Sequence, residues 1–375
     1  MQSIYISVIN DLVSDARAHR TCITLLKSGE VVTLIGRRLK SSPELAARDY
    51  VTKRFSLPVN KGFLFYLIYN IRLLIYLLSR KKTGILVACD LDTLPANYIA
   101  SCLRNYKLVY DSHEYFTEIP ELQNRPFVKK IWLKVEKFIL PRLGHAYTVS
   151  HSIANEYEAK YGLKFNVIRN LPLKKASTGI FPLPENINKK KKIIYQGAVN
   201  IGRGIEAMME TVILMENVVF IIAGEGDLYN SLRKISEEEK FRDKVYFSGR
   251  IPIEKLHDLT IQADMGISLE KDLGKNYRYA LPNKLFDYFH AGIPVLVSDL
   301  PEMRAVIEKY KTGIVAENTT PDYLKEKVEF MLYNQEARMK WEKNLSKAAE
   351  ELCWEKEELK LMEIYTKVGL VFKGW

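Results

Sequence analysis

The stretch "LPNKLFDYFHAGIPVLVSD", Leu281 to Asp299, predicts a short helix that leads directly into a buried strand. Pro294 stops the helix, and the run "VLV" is typical of a strand covered on both faces. Lys284 falls in the first turn, where the helix dipole disfavours a cation unless an anion lies beside it. Asp287 follows on the same helix face. The stretch therefore indicates either an anion site or an ordinary βα unit with a surface Lys-Asp pair.

The same alternation of short apolar strands and helical stretches occurs twice along the chain. In the first half the predicted strands are "IYISVI", "VVTLIG", "GILVACD", "KLVYD", "AYTVS" and "NVIRN". In the second half they are "KIIYQG", "VVFIIAG", "KVYFSG", "DMGISL", "PVLVS" and "TGIVA". Two such series predict an α/β protein with two Rossmann-like, doubly wound domains that face each other across a cleft.

Composition shifts place the domain boundaries. The segment 173–192 contains Pro182, Pro184 and the run Lys189 to Lys192, which is typical of a linker. We therefore expect an N-terminal Rossmann-like domain at 1–172 and a C-terminal Rossmann-like domain at 193–352. Residues 353–375 are expected to form a C-terminal helix that packs back on the N-terminal domain.

The global composition is that of a soluble globular protein, with 375 residues, 47% hydrophobic and 27% charged. Four cysteines lie scattered without a C-x-x-C pair, which favours a reducing compartment and argues against a zinc ribbon. The first residues, "MQSIYISVINDLVSD", have no basic segment before an apolar run. We therefore expect a first strand there, no signal peptide, and a cytoplasmic location.

The net charge of +11 is unevenly distributed. Residues 1–172 hold 25 Lys and Arg against 14 Asp and Glu, which is +11, whereas the remainder holds 31 against 31. This asymmetry favours an anionic partner for the first half, such as a membrane surface, a phosphorylated lipid or nucleic acid. A solvated basic face without a specific partner is the alternative.

Two helical stretches of the first half bear on this charge. "FVKKIWLKVEKFIL" places Phe127, Ile131, Val135, Phe138 and Ile139 on one side and Lys129, Lys130, Lys134 and Lys137 mostly elsewhere, which fits an amphipathic basic helix or a core-packed one. "FLFYLIYNIRLLIYLL", residues 63–78, is apolar nearly all round but shorter than the roughly 20 residues that span a bilayer. We expect it to be buried or to dip into a membrane interface, and not to be transmembrane.

Several motif-like strings fail on inspection. "GAVNIGRG" lacks the Lys and Ser/Thr of a phosphate-binding P-loop, and "GEGDLYNS" has only two glycines of a dinucleotide fingerprint. Asp90 and Asp92 in "DLD" form a two-acid string of a kind common by chance, and "HEYFT" at His113 lacks the second histidine of a zinc protease helix. We therefore expect no metal site and no cofactor.

The remaining features suit a diphosphate. Glycines follow three predicted strands of the second half, and Arg203 lies among the first group. Lys284 becomes a second cation over the same diphosphate, and Asp287 can accept hydrogen bonds from a ribose diol. The predicted donor-binding residues are Gly197, Gly202, Arg203, Gly204, Gly224, Gly226, Gly249, Arg250, Ile251, Lys284, Leu285 and Asp287.

The order "YQGAVNIGRGIEAMM", "FIIAGEGD", "VYFSGRIP", "ADMGISL" and "LPNKLFDYFHAGIPVLVSD" resembles the nucleotide-binding domain of the family 4 glycosyltransferases. "DLDTLPANYIA", "LVYDSHEYFTEIPEL" and "YTVSHSIANEY" resemble the acceptor-side domain of a bacterial branch of that family. The resemblance implies the GT-B fold and a retaining, metal-independent transfer from a UDP- or GDP-sugar to a hydroxyl of a glycan or lipid-linked acceptor. It further implies an acceptor-binding role for residues 1–172, a nucleotide-sugar-binding role for residues 193–352, and a place in cell-surface polysaccharide biosynthesis. The basic first half favours a peripheral position at the inner face of the plasma membrane.

The chain departs from the family pattern in three places. The usual pair of pocket acids falls on Tyr279 and Asp287, so the first acid is absent. The arginine that often follows the first glycine of the second domain is Ala198, which leaves Arg203 as the basic residue there. The usual glycine-rich turn after the first strand is replaced by "NDLVSDARAHR". The diphosphate contacts are thus better supported than the sugar contacts.

The predicted catalytic residues are Arg203, Lys284 and His113. The two cations would stabilise the leaving diphosphate, and the resemblance places His113 near the transferred sugar. Alanine at Arg203 or Lys284 should lower turnover with little effect on folding. A non-hydrolysing sugar-nucleotide epimerase and a basic nucleic-acid-binding protein are the alternatives. An epimerase needs a cluster of acids and histidines near the sugar, and the small number of histidines, six in all, argues against it. The lack of a recognisable nucleic-acid module argues against the nucleic-acid-binding protein.

Overall fold

The computed structural model describes residues 2–13, 15–80, 83–174 and 177–372, and the chain forms two compact units. Unit 1 comprises Met1–Asn170 and Glu357–Trp375, and unit 2 comprises Leu171–Lys356. The segment 173–192, expected as a linker, falls inside unit 2 and ends within a strand; its residues 175 and 176 lie outside the described chain. Of the expected terminal helix at 353–375, residues 373–375 lie outside the described chain.

Unit 1 is built on a seven-stranded parallel sheet with the order β3-β2-β1-β4-β5-β6-β7. Its strands are β1 (Ser3–Asp11), β2 (Val31–Arg38), β3 (Val51–Ser56), β4 (Thr83–Cys89), β5 (Asn105–Ser112), β6 (His145–Thr148) and β7 (Asn166–Val167). Its helices are α1 (Ala16–Leu26), α2 (Gly62–Leu78), α3 (Leu94–Leu103), α4 (Pro120–Gln123), α5 (Pro126–Ile139) and α6 (His151–Tyr161). The central strand β4 is buried from Gly84 to Cys89 because helices cover both faces of a parallel sheet.

Strand β3 escapes sequence-based prediction. Its sequence is "VTKRFS", and the charged Lys53 and Arg54 break the apolar run by which the other strands are recognised. The strand lies at the edge of the sheet, where charged side chains remain solvated and discourage pairing with another chain.

The stretch 63–78 forms α2, and the expectation that it is buried is wrong for one of its faces. Phe65, Tyr69, Leu73 and Leu77 are buried and recur every four residues. Phe63, Leu64, Leu67, Ile71 and Ile75, on the other side, are exposed. The sequence pattern hides this difference because both faces carry apolar side chains.

The basic helix α5 also differs from its predicted pattern. Phe127 and Phe138, expected on the packed side, are exposed, whereas Trp132 and Ile139 are buried.

None of the helices in the described chain combines the length and the apolar character that a membrane span requires.

Unit 2 is built on a six-stranded parallel sheet with the order β10-β9-β8-β11-β12-β13. Its strands are β8 (Lys191–Gln196), β9 (Val218–Ala223), β10 (Val245–Gly249), β11 (Met265–Ser268), β12 (Val295–Ser298) and β13 (Gly313–Ala316). Its helices are α7 (Glu185–Asn188), α8 (Ile205–Val212), α9 (Tyr229–Ile235), α10 (Ile253–Thr260), α11 (Lys275–Arg278), α12 (Asn283–His290), α13 (Pro301–Tyr310), α14 (Pro321–Tyr333) and α15 (Gln335–Glu351). In both sheets the order reverses beside the first strand, which is where doubly wound sheets bind ligands.

The last helix, α16 (Trp354–Val368), begins in unit 2 and continues in unit 1. In unit 1 its Glu358 carboxylate accepts hydrogen bonds from Thr24 of α1 and from Lys27, the residue after α1. The Tyr365 hydroxyl lies 3.3 Å from the hydroxyl of Tyr147 in β6, and both rings are fully buried. The buried side chains of α16 after Glu357, Tyr365 among them, therefore contribute to the unit 1 core.

Candidate active site

Lys284 and Glu270 form a buried ion pair in unit 2. Helix α12 begins at Asn283, so Lys284 lies in its first turn. The Lys284 Nζ atom lies 2.7 Å from Glu270 Oε1, with the lysine side chain 8% exposed and the carboxylate fully buried. The same Nζ lies 4.1 Å from the centroid of the Tyr195 ring. The cation in the first turn thus has a carboxylate partner from within the unit.

Glu270 follows β11 by two residues and is the functional residue that the sequence reasoning missed. Its carboxylate accepts a hydrogen bond of 2.7 Å from Ser268 Oγ. Burial alone would raise the pKa of Glu270, but the charge of Lys284 and the hydrogen bonds from Lys284 and Ser268 bring that pKa below its usual value. An acidic residue directly after a parallel strand is the signal that could have identified it, because ligand-facing groups lie at strand carboxyl ends.

Arg203 brings a second cation to the same carboxylate. It lies in the loop between β8 and α8, and its Nη1 atom lies 3.6 Å from Glu270 Oε1. Its guanidinium carbon lies 5.2 Å from the centroid of the Tyr277 ring. The side chain is 27% exposed, so the guanidinium can also meet a ligand from solvent. Two cations against one carboxylate leave this cluster with a positive excess that favours a bound anion.

The surroundings of Lys284 disfavour its charged form. Burial lowers its pKa, the Glu270 carboxylate raises it, and the nearby Arg203 lowers it again, so that the pKa of Lys284 lies below its ordinary value. An anion placed beside the two cations would favour their charged forms. The geometry therefore suits a phosphate group better than a neutral ligand.

The predicted glycines cluster at the carboxyl ends of three neighbouring strands. Gly197 N donates to Ala223 O at 2.9 Å, and Gly224 N donates to Gly249 O at 2.9 Å. These bonds tie together the loops that follow β8, β9 and β10. Gly202, Gly204, Gly226, Arg250 and Ile251 lie in the same loops.

Gly204 is required at the start of α8. Its φ of +72° lies in the left-handed region, and a Cβ atom there would overlap the Cβ and the carbonyl oxygen of Leu269. The helix begins at Ile205 with no side-chain cap on its first N–H groups. The glycine therefore lets the N-terminus of α8 lie close to the segment that carries Glu270, where its dipole adds to the charge of Arg203.

Two of the predicted donor-binding residues have roles within the fold. The Leu285 side chain is fully buried in the core of unit 2, and the predicted contact of this residue with a donor stays a prediction. Asp287 accepts a hydrogen bond of 3.0 Å from Gln196 Nε2, and Gln196 in turn accepts one of 2.7 Å from Thr260. Asp287, in α12, is half-buried beside Gln196 at the end of β8, and its predicted contact with a ribose stays a prediction.

His113 belongs to a second cluster, which lies in unit 1. Its Nε2 atom lies 3.0 Å from Asp111 Oδ2, its Nδ1 atom 3.5 Å from Asp90 Oδ2, and its backbone N–H donates to Asp90 Oδ1 at 2.8 Å. Arg17 binds the other side of Asp111 through Nη2 at 2.7 Å and Nε at 3.3 Å. The histidine therefore links two acidic residues from the ends of adjacent strands.

The charges in this second cluster are mutually stabilised. Burial by itself lowers the pKa of His113, but Asp111 and Asp90 raise it well above its ordinary value. Burial raises the pKa of Asp111, yet Arg17 and His113 hold it far below the usual range. The imidazole is thus held as a cation whose two N–H groups face carboxylates, an arrangement unsuited to proton abstraction.

The acidic string at Asp90 to Asp92 does not act as one pair. Asp90 has a φ of +60° and faces His113, whereas Asp92 is buried and its pKa is raised well above the ordinary value by burial, Asp90 and Glu114. Cys89, Asp111 and His113 do each place a potential ligand atom within 4.8 Å of the others. Arg17 already neutralises Asp111, so this group is poorly suited to a dication.

The comparisons with known proteins follow this division of the chain. The family model described as "Glycosyl transferases group 1" matches residues 181–348, which lie within unit 2. The chitobiosyldiphosphodolichol beta-mannosyltransferase of Candida albicans is 25% identical, over 60% of this chain and 53% of the relative. The chain thus spans about half the length of the curated relative that it matches.

Among solved structures, sucrose-phosphate synthase from Thermosynechococcus elongatus superposes with a TM-score of 0.78 at 14% identity, over 98% of this chain and 99% of that one. HepE of Anabaena, solved in complex with UDP-glucose, gives 0.70 at 12% identity, over 98% and 100%. These likenesses confirm the predicted GT-B type of fold with two Rossmann-like sheets. The family match confirms the predicted enzyme class for unit 2, a glycosyltransferase domain.

Proposed function

We propose that this protein transfers a sugar from a nucleoside-diphosphate sugar to a hydroxyl group of a glycan or lipid-linked acceptor. The observation that carries the proposal is the cluster of Arg203 and Lys284 around Glu270, inside the segment that matches the glycosyltransferase model. A departing nucleoside diphosphate develops negative charge that two preorganised cations and the N-terminus of α8 can stabilise. Glu270 holds both cations in position and does not itself take part in bond exchange.

We assign the transfer to the retaining, metal-independent type of family 4. In that reaction the bond between the sugar carbon and the diphosphate oxygen breaks while the acceptor oxygen bonds to the same face of the sugar. The acceptor proton passes to a diphosphate oxygen, so no protein nucleophile is needed. His113 keeps its Nε2–H on Asp111 and would donate its Nδ1–H, which lies 3.5 Å from Asp90 Oδ2, to a hydroxyl of the transferred sugar.

The donor and acceptor classes rest on the relatives. HepE is described in complex with UDP-glucose, which supports a UDP-sugar, and a GDP-sugar is the other donor that the sequence favours. The mannosyltransferase relative is named for a dolichol-linked diphosphate acceptor, which supports a lipid-linked acceptor here. A role in cell-surface polysaccharide biosynthesis agrees with both.

Thermal-shift measurements with UDP, GDP and a plain oligonucleotide test the donor class, followed by a panel of nucleotide sugars with mass-spectrometric detection of product. A nucleotide at 100 times its Kd should stabilise the protein by about 2.7 kcal/mol.

Arg203→Ala should weaken that thermal shift and lower turnover about 10²-fold. The control Arg242→Ala, at an exposed position of the same unit, should change neither the shift nor the turnover. Stabilisation by the oligonucleotide alone would contradict the proposal, and conversion of the donor without an acceptor would indicate an epimerase.

A further inference from the structure

Helix α2 exposes an apolar stripe on the side opposite its packed face. The stripe consists of Phe63, Leu64, Leu67, Ile71 and Ile75, and we call it the α2 stripe. Phe63 is 68% exposed and Ile75 is 63% exposed. Arg72 is the single charged residue among the 17 of the helix. A solvated helix face normally carries charged and polar side chains, so a stripe of this kind marks an interaction surface.

Two neighbouring helices extend the same surface. Residues of α2 and α3 share one core cluster of the unit 1 sheet. The rings of Tyr66 in α2 and Trp132 in α5 lie 5.4 Å apart, and those of Tyr98 in α3 and Phe138 in α5 lie 6.1 Å apart. Further exposed apolar side chains on these helices are Ile99, Leu103, Phe127 and Phe138. The surface is thus contributed by three adjoining helices rather than by one.

The third helix adds positive charge without compensating acids. Lys130, Lys134 and Lys137 are exposed at spacings of four and three residues, which places them on one side of α5. None of the three makes an ion pair within the described part of the chain. Lys129, in contrast, pairs with Glu118 at 2.8 Å. Glu136, the acidic residue of α5, is fully buried and bound by Lys160 and Tyr161.

We propose that the surface formed by α2, α3 and α5 docks on a bilayer that contains anionic lipids. The α2 stripe would enter the boundary between headgroups and acyl chains, with the helix lying in the plane of the membrane, while the three α5 lysines bind lipid phosphates. Apolar side chains beside unpaired lysines match a bilayer surface better than an acidic protein, which would leave the stripe without a partner. The whole formal excess of +11 lies in residues 1–172, which adds long-range attraction.

Co-sedimentation of the full chain with vesicles tests the proposal, using phosphatidylcholine alone and phosphatidylcholine mixed with phosphatidylglycerol. The wild-type protein should bind the anionic vesicles, lose that binding as salt rises, and bind neutral vesicles far less. The variant Lys130→Gln, Lys134→Gln, Lys137→Gln should bind anionic vesicles about 100-fold more weakly, since each basic residue near the surface contributes about fivefold. The variant Leu67→Ser, Ile71→Ser, Ile75→Ser should bind them at least about tenfold more weakly.

Unit 2 offers matched controls. The first control variant replaces three exposed lysines at similar spacing on α15: Lys340→Gln, Lys343→Gln, Lys347→Gln. The second replaces three exposed apolar side chains: Ile235→Ser, Ile253→Ser, Met339→Ser. Both control variants should bind vesicles as the wild type does. All variants should keep the wild-type melting temperature, because the positions are exposed; if the stripe variant unfolds, the lysine variant decides the test.

Equal binding to both kinds of vesicle, or undiminished binding by the lysine variant, would overturn the proposal. Wild-type protein that ignores anionic vesicles but forms a dimer in sedimentation velocity, abolished by the stripe substitutions, would assign the surface to a second copy of the chain and overturn it equally.

Discussion

Replacing Lys284 by methionine should cost unit 2 stability as well as activity. The substitution removes the cation that lies 2.7 Å from the fully buried carboxylate of Glu270. Among the described residues, the Ser268 hydroxyl at 2.7 Å and the more distant Arg203 guanidinium at 3.6 Å would then be the partners of that charge. The sequence alone predicts little effect on folding, and the burial of this pair reverses that expectation for Lys284.

The size of the effect follows from the ion pair. Removing one member of a buried pair destabilises a protein by about 3–5 kcal/mol, and because Arg203 retains part of the attraction we expect about 3 kcal/mol. Adding Glu270→Gln removes the uncompensated charge and should restore about 2 kcal/mol of that loss. Turnover should stay about 10²-fold below the wild type in both variants, because neither restores the cation over the diphosphate.

Urea unfolding followed by circular dichroism, together with steady-state transfer rates, checks these values. Arg203→Ala is the matched comparison: its side chain is part-exposed, so it should lower turnover to a similar degree with a stability loss below about 1 kcal/mol. The reasoning would be refuted by a Lys284→Met protein as stable as the wild type, or by a double variant that regains wild-type turnover.

Three further predictions concern single features of the site. Gly204→Ala and Gly292→Ala both place a side chain at a φ near +70°, which should lower the free energy of unfolding by about 1 kcal/mol each. The alanine at position 204 also overlaps Leu269, so this variant should lose about 1–3 kcal/mol more in thermal unfolding. Equal losses in the two variants would contradict the overlap. Because the pKa of His113 is raised in the fold, its stabilising contribution should be complete below about pH 6.5 and shrink as pH rises through the raised pKa. Urea unfolding of His113→Gln and the wild type at pH 6 and pH 9 measures this, and an advantage that grows with pH would reverse the assignment. Transfer should persist in excess EDTA, since side chains and a helix N-terminus meet the leaving-group charge; loss of activity with rescue by manganese would contradict this.

The sequence carries most of the fold because parallel strands buried on both faces appear as uninterrupted apolar runs. In the described chain β9, with the sequence "VVFIIA", is recognised in this way, whereas β3 is missed because charged residues interrupt an edge strand. The faces of α2 could not be separated, since a helix that is apolar all round gives no periodic signal.

The site was predicted only in part, for a related reason. Glycines, Arg203 and Lys284 are recognisable because residue types near strand ends follow from the topology. Glu270 was missed although it follows a predicted strand, because one of the two acids in "SLEKD" becomes specific only once it is known which cations converge on it. The inward orientation of Leu285 likewise depends on the rotation of α12, which spacing does not fix to within one residue.

The division of unit 1 into two chain segments has a consequence for biosynthesis. Residues 357–375 supply part of its interior, including Tyr365, yet they emerge from the ribosome only after the 186 residues from 171 to 356. At about 5–20 residues per second the nascent first segment therefore waits roughly 10–40 s with the surface around Tyr147 uncovered. During that interval the nascent segment is a substrate for chaperones. Any expression fragment that ends before Glu357 keeps this apolar surface exposed permanently.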